Sequence, residues 1–206
     1  ACSSPVGCLD RSVSRSIESP VSGELVISEL LFNPVGSDEN KEWIEFYNRG
    51  TRTVDLNGLE IINYVMGSES NIKDAMVDSS DCVTAAPGEY VLIGAIDDIL
   101  SNGNILVDGV ADGLSFYNSA PGIVEISIEA ELIDSAIYPG SREGHSLSLK
   151  PEQLLSAQND SEADFCESET VGLYDGLGTP GTTNLCGPAC TDDDGVRQVV
   201  SPGVGD

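Results

Sequence analysis

The sequence predicts an all-β fold, a β-sandwich carried between extended N- and C-terminal arms. Three observations lead there. Gly and Pro are plentiful, at 22 and 10 residues, while aromatic residues make up 5% of the chain, a composition of many short strands and turns rather than helices. Apolar and polar residues alternate at period two, most plainly over residues 122–128, where Val124, Ile126 and Ile128 share one face and Glu125, Ser127 and Glu129 the other. Asn-Pro, Asn-Gly and Pro-Gly turn signals punctuate such stretches. With 206 residues, 40% of them apolar, the chain is long enough for one sizeable domain with tails.

Residues 1–22 are Ser-rich and carry Arg11 and Arg15. They read either as a disordered leader or as an arm that docks on an acidic neighbour. The domain is expected over residues 23–187. Its first strand covers 24–32, followed by the Asn33-Pro34 turn and an acidic loop. The strand at 41–48 places Ile44 and Phe46 toward the core, with Trp43, Glu45 and Tyr47 on the other face. After the Asn57-Gly58 turn, residues 59–65 continue with Leu59, Ile61 and Tyr64 inward. Residues 66–81 form an irregular segment with a short edge strand, and Pro87-Gly88 turns into a buried strand at 89–94.

Residues 97–112 alternate apolar and Asp/Asn/Gly pieces as a strand-loop-strand does, and 114–118 is expected as a further short strand. The strand at 122–128 pairs as a hairpin with 132–138, and 145–149 is the last strand, with Leu147 and Leu149 in phase. One or two helical turns follow at 152–158, then a Gly-rich closing loop at 178–184 and a second arm at 188–206. The leading Ser19-Pro20, Gly23 and Glu24 recur in order at the chain's end as Ser201-Pro202, Gly205 and Asp206. That repeat suggests one bead of a string, or one processed subunit of a polymer; chance similarity of two linkers explains it as well.

The order of pieces in residues 23–58 resembles the lamin-tail domain, a small immunoglobulin-like β-sandwich. The matching motifs are Asn33-Pro34, the strand Glu42-Trp43-Ile44-Glu45 ending in Tyr47-Asn48, and the corner Asp55-Leu56-Asn57-Gly58. The segment Gly178-Thr179-Pro180-Gly181 is similar to the one that often ends bacterial members, which carries the resemblance to about Cys186. The resemblance implies an immunoglobulin-like sandwich of bacterial secreted or surface type, and says more about fold than about activity. Lamin-tail domains are also found attached to secreted enzymes. A chromatin role, discussed for nuclear lamin tails, does not transfer, because the charge here has the wrong sign.

Nine Lys and Arg against 35 Asp and Glu give a net charge of −26. Such a surface repels nucleic acid and anionic lipid and attracts cations. No apolar run approaches the roughly 20 residues of a membrane helix, no signal peptide is visible, and Ala1 reads as the start of a processed form. Six cysteines, at 2, 8, 82, 166, 186 and 190, show no CxxC spacing and have only His145 beside them in the inventory, so a zinc site has little support. Their even number suggests disulfides and an extracellular, cell-surface or periplasmic location. Cys166–Cys186 is the first expected pair, since the two flank the loop that ends the domain. Cys2–Cys8 and Cys82–Cys190 are the other pairs considered, with the connectivity open and buried thiols in a cytosolic protein as the plain alternative.

Catalytic groups are scarce. His145 follows Gly144 in an alternating strand and belongs to no nucleophile motif, and Glu42 and Glu45 sit on opposite faces of one strand and do not converge. Calcium is the expected ligand, through loops at 37–40 and 97–98 and above all through Asp192, Asp193 and Asp194, which Gly195 follows directly. A merely solvated acidic surface is the plain alternative. Asn159-Asp160-Ser161 fits the N-glycosylation pattern. Together these readings predict a non-enzymatic structural subunit or module of an extracellular or cell-surface assembly, a filament or repeat array, stabilised by disulfides and calcium. Its partners are then itself or other surface proteins, without nucleic acid or membrane insertion. The alternative is an accessory ligand-binding module of a larger secreted enzyme.

Overall fold

The apolar run after Gly23 forms a strand that is buried along its whole length, and the rest of the structure is laid out on both sides of it. The computed structural model describes residues 17–68, 70–118, 121–154, 159–171 and 175–186. Most of the N-terminal arm and all of the C-terminal arm lie outside these residues, as do Cys2, Cys8, Cys190 and Asp192–Asp194. The strands are β1 (Leu25–Leu31), β2 (Trp43–Asn48), β3 (Val54–Asp55), β4 (Glu60–Val65), β5 (Lys73–Met76) and β6 (Thr84–Ala85). They continue with β7 (Tyr90–Gly94), β8 (Gly109–Val110), β9 (Gly122–Ile128), β10 (Glu131–Tyr138), β11 (Leu147–Leu149) and β12 (Phe165–Glu167). A single helical turn, α1 (Pro151–Leu154), follows β11.

One sheet has six strands in the order β12-β11-β1-β2-β7-β8 and the other has four, β10-β9-β4-β5, while β3 and β6 form a two-stranded ribbon. Pairing is antiparallel except between β7 and β8. Ile27, Leu30, Ile44, Phe46 and Ile93 of the larger sheet close on Ile61, Val124, Ile126 and Ala136 of the smaller. A face that is apolar at every second residue has only one way to leave water, which is against another such face. The architecture is therefore the expected β-sandwich.

Two expectations about this core change. Tyr64 does not point inward: the inward sequence on β4 is Leu59, Ile61, Asn63, and the Tyr64 hydroxyl donates to Glu125 on the opposite face. Period two requires that outcome once Ile61 is inside. Asn63 survives burial because its polar atoms are used. Its Nδ2 donates to Tyr138 Oη at 2.8 Å and to the Ile123 carbonyl at 2.7 Å, and its Oδ1 accepts the Tyr117 N–H at 2.8 Å.

The second change is related. Residues 114–118 form no strand, because side chains take their backbone donors: Asn63 the N–H of Tyr117, and Glu42 that of Phe116 at 3.2 Å. Leu114 and Phe116 still reach the core. Within 97–112 the only strand is β8, with Ala111 after it bridging to Val77, since Asp98 and Asn102 fold the preceding stretch into side-chain-capped turns. β12 and the β3-β6 ribbon are strands that the sequence pattern did not announce.

The β9-β10 hairpin turns through Glu129 and Ala130, whose φ angles are +49° and +67°. Both residues thus occupy the left-handed region that favours Gly and Asn. Replacing Ala130 by Gly should stabilise the domain by roughly 0.5–1 kcal/mol in denaturant unfolding, whereas an Ala130→Val change, which adds β-branching there, should destabilise it.

Candidate functional site

The sequence places an acid in the middle of each of the two central strands, and a bulge decides where the first one points. The register of β1 against β2 slips at Ser28, so that Ile27 pairs with Phe46 and Glu29 with Glu45. On its other side Glu29 faces Ser148 of β11. Two carboxyls thus lie directly opposite each other in neighbouring strands, and both are fully buried. Like charges in that relation repel, and no lysine or arginine among the described residues forms an ion pair with either.

What covers them is the Gly-rich closing segment, which crosses the outer face of the six-stranded sheet as a strap. Glu29 Oε1 accepts the Thr179 N–H at 2.8 Å and the Ser146 hydroxyl, and Oε2 accepts the Thr179 hydroxyl at 2.8 Å. Glu45 Oε2 accepts the Gly181 N–H at 2.6 Å, and Oε1 accepts the Ser28 hydroxyl at 2.7 Å. Asn184 Nδ2 then donates to the carbonyls of Ser28 and Leu149. Two residues on, Cys186 is joined by a disulfide to Cys166 of β12. The strap is stitched to β1, β2, β11 and β12.

Burial pushes the carboxyl pKa of Glu29 up, against the pull of its hydroxyl and N–H donors. Glu45 is pushed well up by burial and then by the charge of Glu29. The Tyr90 hydroxyl, hydrogen-bonded to Thr183 at the strap's far side, is raised to about 12, mainly by burial. The pair resembles a carboxyl dyad in composition, but its oxygens are occupied by donors of the same chain. Chemically this is a clamp.

Other residues singled out in the sequence are scattered. His145 Nδ1 bonds to the Ser168 carbonyl at 2.9 Å. Asn33 Nδ2 donates to the Ser141 carbonyl, Asn48 Nδ2 to the carbonyls of Arg52 and Ala85, and Asp55 Oδ1 accepts the Asn57 N–H ahead of Gly58, whose φ is +88°. Pro34 is buried between Asn33 and the loop that follows. Trp43 turns away from the main core to pack with Leu31, Leu92 and Ile105, a second small cluster on the outer face. The motif residues are thus corner and packing residues of the fold.

Asn159 is fully buried, its Nδ2 donating to Asp134 at 2.7 Å, so the glycosylation pattern does not lie at the surface. Asp38 accepts from Asn118, and Asp98 caps its own turn. Among the described residues no group of three or more His, Cys, Asp or Glu is placed to hold a metal ion. Cys82 is half-buried, and Cys190, its expected partner, falls outside the described residues.

Glu42 takes a different position from Glu45, as their opposite faces require. It lines a cleft of about 280 Å³ with Asp38, Glu39, Asn40, Lys73 and Phe116 among the walls. Burial raises its carboxyl to about 8. Among the described residues no helix is long and apolar enough to cross a membrane.

The family profile described as Lamin Tail Domain matches residues 18–179. The match begins where Glu18 already holds the body, its carbonyl accepting from Asp55 N, and ends on Thr179 of the clamp. No curated protein matches the chain.

The clamp makes stability pH-dependent, and the sign follows from the raised folded-state pKa of each carboxyl. The stabilisation is whole below the ordinary glutamate value of 4.5 and is lost as pH rises toward the raised value. Urea unfolding should therefore show stability falling by up to about 1.4 kcal/mol per pH unit for each such group above pH 5. Replacing Glu45 by Gln should flatten that slope, and a slope unchanged by Glu45→Gln would contradict the assignment.

Proposed function

The chain belongs to the lamin-tail domain family, and from that premise we propose that it is a structural subunit or interaction module of an extracellular or cell-surface assembly, a filament or repeat array, rather than an enzyme. Immunoglobulin-like domains of this family are interaction modules. The observation that carries the reading is the open edge of the smaller sheet. Among the described residues β5 itself pairs only with β4, its continuation at Val77 bridging to Ala111, and on and beside it Ile72, Met76 and Met66 are 54%, 39% and 43% exposed. An unpaired strand edge bordered by apolar side chains invites strand addition from a neighbour.

Three features support the rest. The Cys166–Cys186 disulfide fits an oxidising compartment. The net charge of −26 argues against nucleic acid and favours cations between like-charged neighbours. Calcium is the cation proposed, with Asp192, Asp193 and Asp194 as its ligands, because hard oxygen donors adjoining a glycine suit it.

Light scattering on the native, unreduced protein, with and without a calcium chelator, tests this. A mass many times 21.6 kDa is expected, falling on chelation. An Ile72→Lys/Met76→Lys variant, altered only at exposed positions, should fall to the single-chain mass while keeping its unfolding temperature. A monomer in every condition would overturn the proposal and favour the accessory ligand-binding module of a larger secreted enzyme.

A further inference from the structure

Glu42 is an acid that the clamp does not use. Its side chain is almost entirely buried, at 4% exposure, and its Oε1 accepts the Phe116 N–H at 3.2 Å. Its second oxygen, Oε2, has no hydrogen-bond partner among the described residues, and the side chain forms part of the cleft wall. The carboxyl thus has one oxygen engaged by the backbone and the other open to the cleft. Lys73 lines the same cleft but does not complete it. Its ammonium donates to the Phe116 carbonyl and lies 4.5 Å above the centre of the Tyr117 ring, with no ion pair to Glu42.

We propose that this cleft is a receptor site for a primary ammonium group on a short alkyl chain, supplied by a free alkylamine or by a lysine side chain. The walls suit such a ligand. Ala95, Leu114 and Phe116 offer apolar surface for the methylene stem, Glu42 the buried acceptor, and Asp38 and Glu39 further negative charge. A compact ammonium suits a single available oxygen, whereas a guanidinium fork needs two, and one is committed to Phe116. At about 280 Å³ the cleft lies at the small end for organic ligands. Among the described residues its three carboxylates are not placed together to hold a metal ion.

Binding must couple to proton release. Burial holds Glu42 protonated up to about pH 8, with Asp38 raising its pKa and Lys73 lowering it, while Tyr138 adjoins it from β10. A cation requires the ionised form, so the apparent affinity should tighten about tenfold per pH unit below that value. Attraction by the acidic surface at large has no such dependence in this range.

The test is a nuclear magnetic resonance titration of the full chain with butylammonium chloride and with Nα-acetyl-lysine amide, at pH 6, 7 and 8. The norleucine and arginine amides serve as controls. Saturable shifts confined to the Ala95, Ser115 and Phe116 amides are expected with the amines, tightening with pH, and not with norleucine amide. Response to butylammonium supports the site with a small amine as source, and response to the lysine amide alone supports it with a protein source. Glu42→Gln, which keeps an acceptor for Phe116, should weaken binding at least about tenfold at pH 8 and abolish the pH dependence. Asp38→Asn, at a half-buried rim residue, should weaken it by less and serves if the first variant does not fold. Equal binding by Glu42→Gln, affinity independent of pH, or shifts spread over the acidic surface would each overturn the proposal. The site is a property of the single chain, so its failure is separable from that of assembly.

Discussion

Two glutamates facing each other across adjacent central strands, both fully buried and without an ion pair among the described residues, set the constraint on which the rest of this structure depends. An isolated pair of this kind costs several kcal/mol in desolvation and repulsion. The cost is offset by donors placed on it, and Thr179, which supplies two of them, lies 150 residues from Glu29 in sequence. The strap must therefore lie where it does. Through Asn184 and the Cys166–Cys186 bridge, its position also fixes β11 and β12 against β1. The strap is tied to the two central strands by hydrogen bonds to titratable carboxyl oxygens.

The core face was legible because one rule governs it. Alternation placed Val124, Ile126, Ile44 and Phe46 inside, and the structure keeps them there. That rule also contained the correction for Tyr64: once Ile61 is inward, Asn63 follows, and only the reluctance to bury an amide argued otherwise. The outer face was less legible. Trp43 and Glu45 stand on the polar side of an alternating strand, which suggests solvent, yet both are buried. Nothing local to β2 announces a cover supplied by residues 179–184 and by the loop carrying Ile105. Bulges hide in the same way, since the shift at Ser28 that aligns Glu29 with Glu45 leaves no mark on the apolar run around it.

Asparagines show the same logic in smaller form. Asn159 fits a modification pattern of three residues, but its amide is spent on Asp134 and on the Ile27 carbonyl, holding β1 to β10. Asp134 in turn accepts the Ile27 N–H at 2.8 Å, and burial raises it to about 6. A sequence motif records residue types, whereas a fold commits their atoms. The acids that matter here are a few buried ones: Glu29, Glu45 and Asp134 hold the strap and β1, and Glu42 keeps one oxygen free of the chain. The remaining acids contribute to a net charge of −26, which repels polyanions and attracts cations.

The central claim is that the strap closes over a carboxyl pair kept from ionising in the ordinary range. Side-chain carboxyl ¹³C shifts of Glu29 and Glu45, followed against pH in the folded protein, test it most directly. The account predicts that both titrate above the usual glutamate range, with the later transition moving the Thr179 and Gly181 amide signals in step. Two independent titrations near 4.5, leaving those amides unmoved, would contradict it.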